Sequence, residues 1–254
     1  MLRNHPDLGR RPGDPAAFDR PVDVRTGSGA DFAPPALGTV YGVLANYRGF
    51  VEALGDAVNT APYKAPPKAP VLYLKPRNTV IGAGMPIPVP DGVPALEVGA
   101  CLGIVIGQTA CRVRESEAHG VVAGYTIVND VSVPHTNYFR PAVRFKCRDG
   151  FCPVGPWIVG ARHVPEPDRL SIRVTVEDRV VQVASTADLV RPVARLLADV
   201  TEFMTLSPGD VLLVGVPPGA PHAAPGQRVA IEIDGIGRLE NPLIAESVLA
   251  SELA

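Results

Sequence analysis

VGACLGIVIG (98–107) and VVAGYTIVNDVS (121–132) are the stretches on which the fold turns. The first is apolar at odd and even positions alike, so a strand made from it has to be covered on both faces. The second is a buried strand that ends in polar residues. Outward from this pair, GTVYGVLAN (38–46) and VLYLKP (71–76) are strand candidates on the N-terminal side. VLLVG (211–215) and RVAIEID (228–234) are strand candidates on the C-terminal side. LSIRVTVEDRVVQVAS (170–185) is predicted to be a hairpin turning at Glu177-Asp178-Arg179, with Leu170, Ile172, Val174 and Val176 on one face. AVRFKCRDGF (142–151) alternates, which predicts a strand with Val143, Phe145 and Cys147 on one side and Arg144, Lys146 and Arg148 on the other.

Helices are few. Phe50, Leu54 and Val58 have the spacing of one helical face. A clearer helix has Pro192 in its first turn and an apolar stripe of Val193, Leu196, Leu197, Val200, Phe203 and Met204. Ser207-Pro208-Gly209-Asp210 stops it. With 28 prolines and 25 glycines, the chain turns often, which favours short strands over a doubly wound α/β sheet. The pattern is a β-rich α+β fold. Residues 1–36, rich in Pro, Gly, Asp and Arg, read as a poorly ordered tail, and 37–254 as one domain.

Bulk properties exclude several classes of function. A net charge of −2 with one short basic cluster argues against nucleic acid or an anionic membrane. No apolar run reaches the roughly 20 residues of a membrane span. The N-terminal text has no apolar signal core, and Cys101, Cys111, Cys147 and Cys152 match no zinc spacing. Reduced thiols and a cytoplasmic location follow as expectations. The five histidines, His5, His119, His135, His163 and His222, lie in loop-like text without an i,i+4 pair and are read as surface residues. His135 is the exception worth testing, because it follows NDVS closely.

GYTIVNDVS (124–132), KCRDGFCPVGPWIV (146–159), STADL (185–189), LSPGDVLLVG (206–215) and DGIGRLENP (234–242) occur in the order and spacing of the fumarylacetoacetate hydrolase family, and the chain resembles it over residues 38–246. APYKAPPK (61–68), KPRNTVIG (75–82) and RPAVRFKCRDGFCPVG (140–155) are similar to the first half, or first subunit, of the family's isomerase/decarboxylases of 4-hydroxyphenylacetate (homoprotocatechuate) breakdown. The resemblance implies a mixed β-sandwich roll and a homodimer, or a hetero-oligomer with a second family subunit. It also implies a small unsaturated oxo-carboxylate substrate, with decarboxylation of 5-oxopent-3-ene-1,2,5-tricarboxylate or isomerisation of 2-hydroxyhepta-2,4-dienedioate as the reaction.

Both reactions pass through a dienolate, so the site has to hold anions and stabilise an oxyanion. The family's site implies Mg²⁺ or Mn²⁺, held by a Glu-x-Glu pair and a later aspartate. The aspartate corresponds to Asp130, but Gly99 and Cys101 stand at the glutamate positions, and Glu97 lies two residues early. Asn46-Tyr47 matches the family pair before a short helix, yet Phe50 takes the place of the family histidine, and Glu52 is offset. The family's Gly-Thr-Pro turn reads Gly215-Val216-Pro217. By the same resemblance Lys146 and Asp149 are the catalytic candidates, and Lys75, Arg144, Arg148 and Asn46 the substrate-binding ones. From the residues alone, the basic run is equally a solvated strand face, and Asp130 a strand-end residue bonding backbone N–H groups. Two functions stay open: a working decarboxylase/isomerase, or a catalytically silent subunit supporting a metal-complete partner.

Overall fold

A computed structural model describes residues 38–62, 64–136 and 140–252. The expected tail at 1–36 lies outside the described residues. The chain runs β1 (Val40–Leu44), α1 (Arg48–Leu54), β2 (Val71–Lys75), β3 (Val80–Ile81), β4 (Ile87–Val89), β5 (Leu96–Glu97), β6 (Ala100–Ile106) and β7 (Val122–Asn129). It continues through α2 (Val143–Lys146), β8 (Cys152–Gly160), β9 (Ser171–Val176), β10 (Arg179–Ser185), α3 (Val193–Thr201), β11 (Val211–Leu213), β12 (His222–Ala223), β13 (Arg228–Ile233), β14 (Gly237–Ala245) and α4 (Glu246–Glu252).

One sheet has seven strands in the order β2-β1-β11-β6-β7-β8-β3. Its outermost strands, β2 and β3, are separated in the chain by residues 76–79 alone. Laid flat, the sheet would hold them about 29 Å apart, whereas that connection spans at most about 17 Å. The sheet therefore has to curl, and it forms a half-barrel. A five-stranded sheet, β10-β9-β13-β14-β4, packs its β13 and β14 on β7 and β8 and its β9 on β6. The sequence-level expectation of a β-rich α+β roll agrees with this arrangement.

β6 lies in the middle of the half-barrel with every residue buried, as its apolar text requires. The two sheets are tied by directed bonds: Trp157 Nε1 donates to Ile236 O at 2.8 Å, and Asn241 Nδ2 donates to Gly82 O at 2.9 Å and Met85 O at 2.8 Å. The hairpin of β9 and β10 turns on Glu177 and Asp178, both at positive φ, one residue tighter than expected. In α3, Val193, Leu196, Leu197 and Val200 are buried. Pro192 stands at the N-cap rather than inside the first turn, and Asp168 Oδ1 accepts the Val193 N–H at 2.8 Å. Phe203, expected to extend the stripe, lies beyond the helix and is 63% exposed.

Residues 142–151 depart most from expectation. They form α2 and a turn, not a strand, with Lys146 N bonded to Ala142 O at 2.9 Å and Cys147 N to Val143 O at 2.9 Å. On a helix, residues two apart point to nearly opposite sides. Arg144 and Lys146 thus share no face, and the burial is inverted: Val143 is 61% exposed and Lys146 is 8% exposed. The alternation was a coincidence of a segment only one helical turn long.

We expect Leu196→Ala to remove about 2–5 kcal/mol of stability, because Leu196 is fully buried under α3. Guanidinium unfolding should show a lower midpoint at unchanged slope.

Candidate active site

The curl of the half-barrel brings β2 opposite the end of β7. Asp130 follows β7 directly, and its N–H donates to Gly99 O at 2.8 Å. Its carboxylate is fully buried and faces two lysines from distant parts of the chain: Lys75 Nζ lies 2.8 Å from Oδ1, and Lys146 Nζ lies 2.8 Å from Oδ2. The Lys75 contact is an ion pair without the angle of a directed hydrogen bond. Lys75 Nζ also donates to Val131 O at 3.0 Å and to Lys146 O at 2.8 Å, which encloses its ammonium. Lys146 Nζ donates to Asp130 Oδ2 at 2.8 Å. The lysine side chains differ accordingly in exposure, 0% for Lys75 and 10% for Lys146.

Tyr73, two residues before Lys75 on β2, completes the cluster. Its hydroxyl donates to Asp130 Oδ2, and Lys146 Nζ sits 5.1 Å from its ring centroid. Burial would push the Asp130 carboxyl up, but the ammonium groups of Lys146 and Lys75 outweigh it and hold the group well below the usual carboxylate range. Burial, and then the Asp130 charge, push the Tyr73 phenol up, so it stays a donor.

The family model for the fumarylacetoacetate hydrolase C-terminal domain matches residues 39–244. The chain belongs to the fumarylacetoacetate hydrolase family. It is 44% identical to the 4-hydroxyphenylacetate degradation bifunctional isomerase/decarboxylase of Escherichia coli over 82% of its own length and 48% of that protein's. The chain therefore spans about half the length of this relative. Among solved structures it resembles a 5-carboxymethyl-2-hydroxymuconate delta-isomerase from Mycobacterium smegmatis, with a TM-score of 0.72 and 34% identity over 84% of this chain and 79% of that one. A 2-hydroxyhepta-2,4-diene-1,7-dioate isomerase from Mycobacterium marinum aligns with a TM-score of 0.68 and 32% identity over 84% and 77%.

Of the residues that the family resemblance singled out, Asp130, Lys75 and Lys146 meet in one cluster. The others lie elsewhere. Asp149 is exposed and accepts from Asn78 Nδ2 at 2.6 Å. Arg144 is exposed, and Arg148 reaches Glu246 at 3.3 Å. Asn46 is committed to the main chain: its Nδ2 donates to Val214 O at 2.8 Å and Arg191 O at 3.1 Å, and its Oδ1 accepts from Arg191 N at 3.0 Å. It props the turn at Gly215, whose φ of +110° suits glycine. His135, expected at the surface with a query, is half-buried and stacks on Phe145 at 4.8 Å, with Ser132 Oγ 3.3 Å from its Nδ1. Tyr73 was missed, although its i,i+2 spacing from Lys75 on a strand placed both on one face.

The family-type cation does not fit these residues. Mg²⁺ and ions like it take about six oxygen ligands, and the protein's share is usually one or two carboxylates left free to coordinate. Gly99 offers no side chain. The Cys101 thiol donates to Gly215 O at 3.0 Å, and sulfur is a poor ligand for a hard cation. Both Asp130 oxygens already face ammonium groups. Among the described residues no group of three or more His, Cys, Asp or Glu could hold a metal ion.

Removing Lys75 leaves a buried carboxylate with one cation fewer, so Lys75→Met should destabilise the fold by about 3–5 kcal/mol at neutral pH. Asp130 has a lowered folded-state pKa, so its contribution is fully present above its unfolded value of about 3.9 and is lost as pH falls through the folded value. The gap between wild type and Lys75→Met should narrow in unfolding titrations below about pH 4.

Proposed function

We propose that the chain decarboxylates, isomerises, or both, a small unsaturated 2-oxo di- or tricarboxylate in aromatic-compound catabolism. The observation that carries this reading is Lys146: an ammonium anchored on a buried carboxylate, with a side chain 10% exposed where that of Lys75 is fully enclosed. Loss of CO₂ from such an acid, or migration of its double bond, places negative charge on the 2-oxygen. A cation fixed beforehand stabilises that charge more than it does the ground state. Asp130 orients the ammonium, and Lys75 balances the second carboxylate oxygen from behind.

In this reading Lys146 meets the developing oxyanion, Asp149, held by Asn78 outside the cluster, loses the catalytic role the resemblance gave it, and Arg144 and Arg148 stay as the substrate-contact candidates. Lys75 and Asn46 shift from substrate contact to positioning, because their polar atoms are engaged within the protein. The missing histidine at Phe50 leaves no base for water at that place, which favours decarboxylation or isomerisation over C–C hydrolysis. The relatives named above are isomerases and an isomerase/decarboxylase, and the intact Lys146–Asp130 pair favours a working site over a silent subunit. A cytoplasmic homodimer, or assembly with a second family subunit, is part of the proposal. No helix among the described residues is long and apolar enough to cross a membrane.

The purified chain should consume 5-oxopent-3-ene-1,2,5-tricarboxylate or 2-hydroxyhepta-2,4-dienedioate, followed by loss of ultraviolet absorbance. Lys146→Ala should lower kcat/KM by about 10²–10³-fold, the size of one lost oxyanion donor. Wild-type inactivity on both acids, or full activity in Lys146→Ala, would remove the assignment.

A further inference from the structure

Gly42 on β1 stands directly opposite Tyr73 on β2. A Cβ at position 42 would lie 2.1 Å from Cζ of the Tyr73 ring. Any side chain there would expel the ring from its place across β1, and with it the hydroxyl from Asp130. Gly99, at one of the two family glutamate positions, is constrained in the same way: a Cβ would lie 2.3 Å from Asp130 O. A glutamate cannot stand at 99 without moving the backbone that carries Asp130. One glycine thus admits a third partner to the carboxylate, and the other excludes a cation ligand.

We propose that Tyr73, seated in the space left by Gly42, joins Lys75 and Lys146 to complete a metal-independent coordination of Asp130, so that the site works without a divalent cation. Tyr73 is a positioning residue. Its hydroxyl shares Oδ2 with Lys146, and its ring lies beneath the Lys146 ammonium, so it sets where that ammonium points. The inference rests on the proposed role of Lys146, but its first test does not need activity.

The full chain, dialysed against EDTA and titrated with Mn²⁺, is examined by electron paramagnetic resonance. The expected spectrum is that of free aqueous Mn²⁺, unchanged in Asp130→Asn. Stoichiometric binding that Asp130→Asn abolishes overturns the proposal whether or not the chain turns over substrate. Where the wild type is active, EDTA should leave kcat unaltered, and an EDTA-dependent rate that Mn²⁺ restores overturns it as well.

Tyr73→Phe keeps the ring and removes the hydroxyl. It should lower kcat about tenfold, the size of one charge-assisted hydrogen bond, with KM within about twofold. An unchanged kcat, or a loss confined to KM, contradicts the positioning role. Gly42→Ala should lower Tm in the wild type and leave it unchanged in a Tyr73→Ala background, where the ring is gone. Equal losses in both backgrounds would show that the glycine does not serve the tyrosine.

Discussion

A buried carboxylate stays ionised when cations and hydrogen-bond donors converge on it, and that convergence organises this molecule. Asp130 ends a central strand, while its two lysines come from β2, at the edge of the same sheet, and from α2, beyond the end of β7. Four strand spacings separate β2 from β7 in the sheet order, about 19 Å if flat, far beyond the reach of a lysine side chain. The contact exists because the sheet curls, and the curl is enforced by the short link from β2 to β3.

The same enclosure separates the roles of the lysines. Two carbonyls and one carboxylate oxygen surround Lys75 and leave it nothing to offer a ligand. Lys146 sits at the end of a single helical turn, with its carbonyl given to Lys75 and its ammonium to Asp130. The main chain at 146 is therefore pinned by one lysine while the side chain of the other is held on Asp130. Such preorganisation is what an oxyanion-stabilising group requires, because a flexible ammonium would lose orientation before it gained charge interaction.

Where the family supplies carboxylates, this chain supplies a glycine, a thiol and a phenol. The substitutions form one set: Gly99 lies against the main chain of Asp130, Cys101 is turned to Gly215, and Tyr73 takes the carboxylate oxygen that also receives Lys146. The positive charge at Asp130 comes from Lys75 and Lys146.

Apolar periodicity is a local property, and β1, β2, β6, β7, β9, β10, β11 and β13 fall within the stretches their residues announce, whereas β3, β4, β5, β8, β12 and β14 lie outside the stretches read as strands from the sequence. Motif order also singled out Asp130, Lys75 and Lys146, which the fold brings into contact. The text of the chain failed at 142–151, where one helical turn imitates alternation, and at Tyr73, whose importance depends on an absent side chain at Gly42 across the neighbouring strand. Which lysine is enclosed and which is open cannot be read from spacing. That distinction is set by the closure of the sheet, a long-range geometry in which carbonyls of Val131 and Lys146 converge on one ammonium and spare the other.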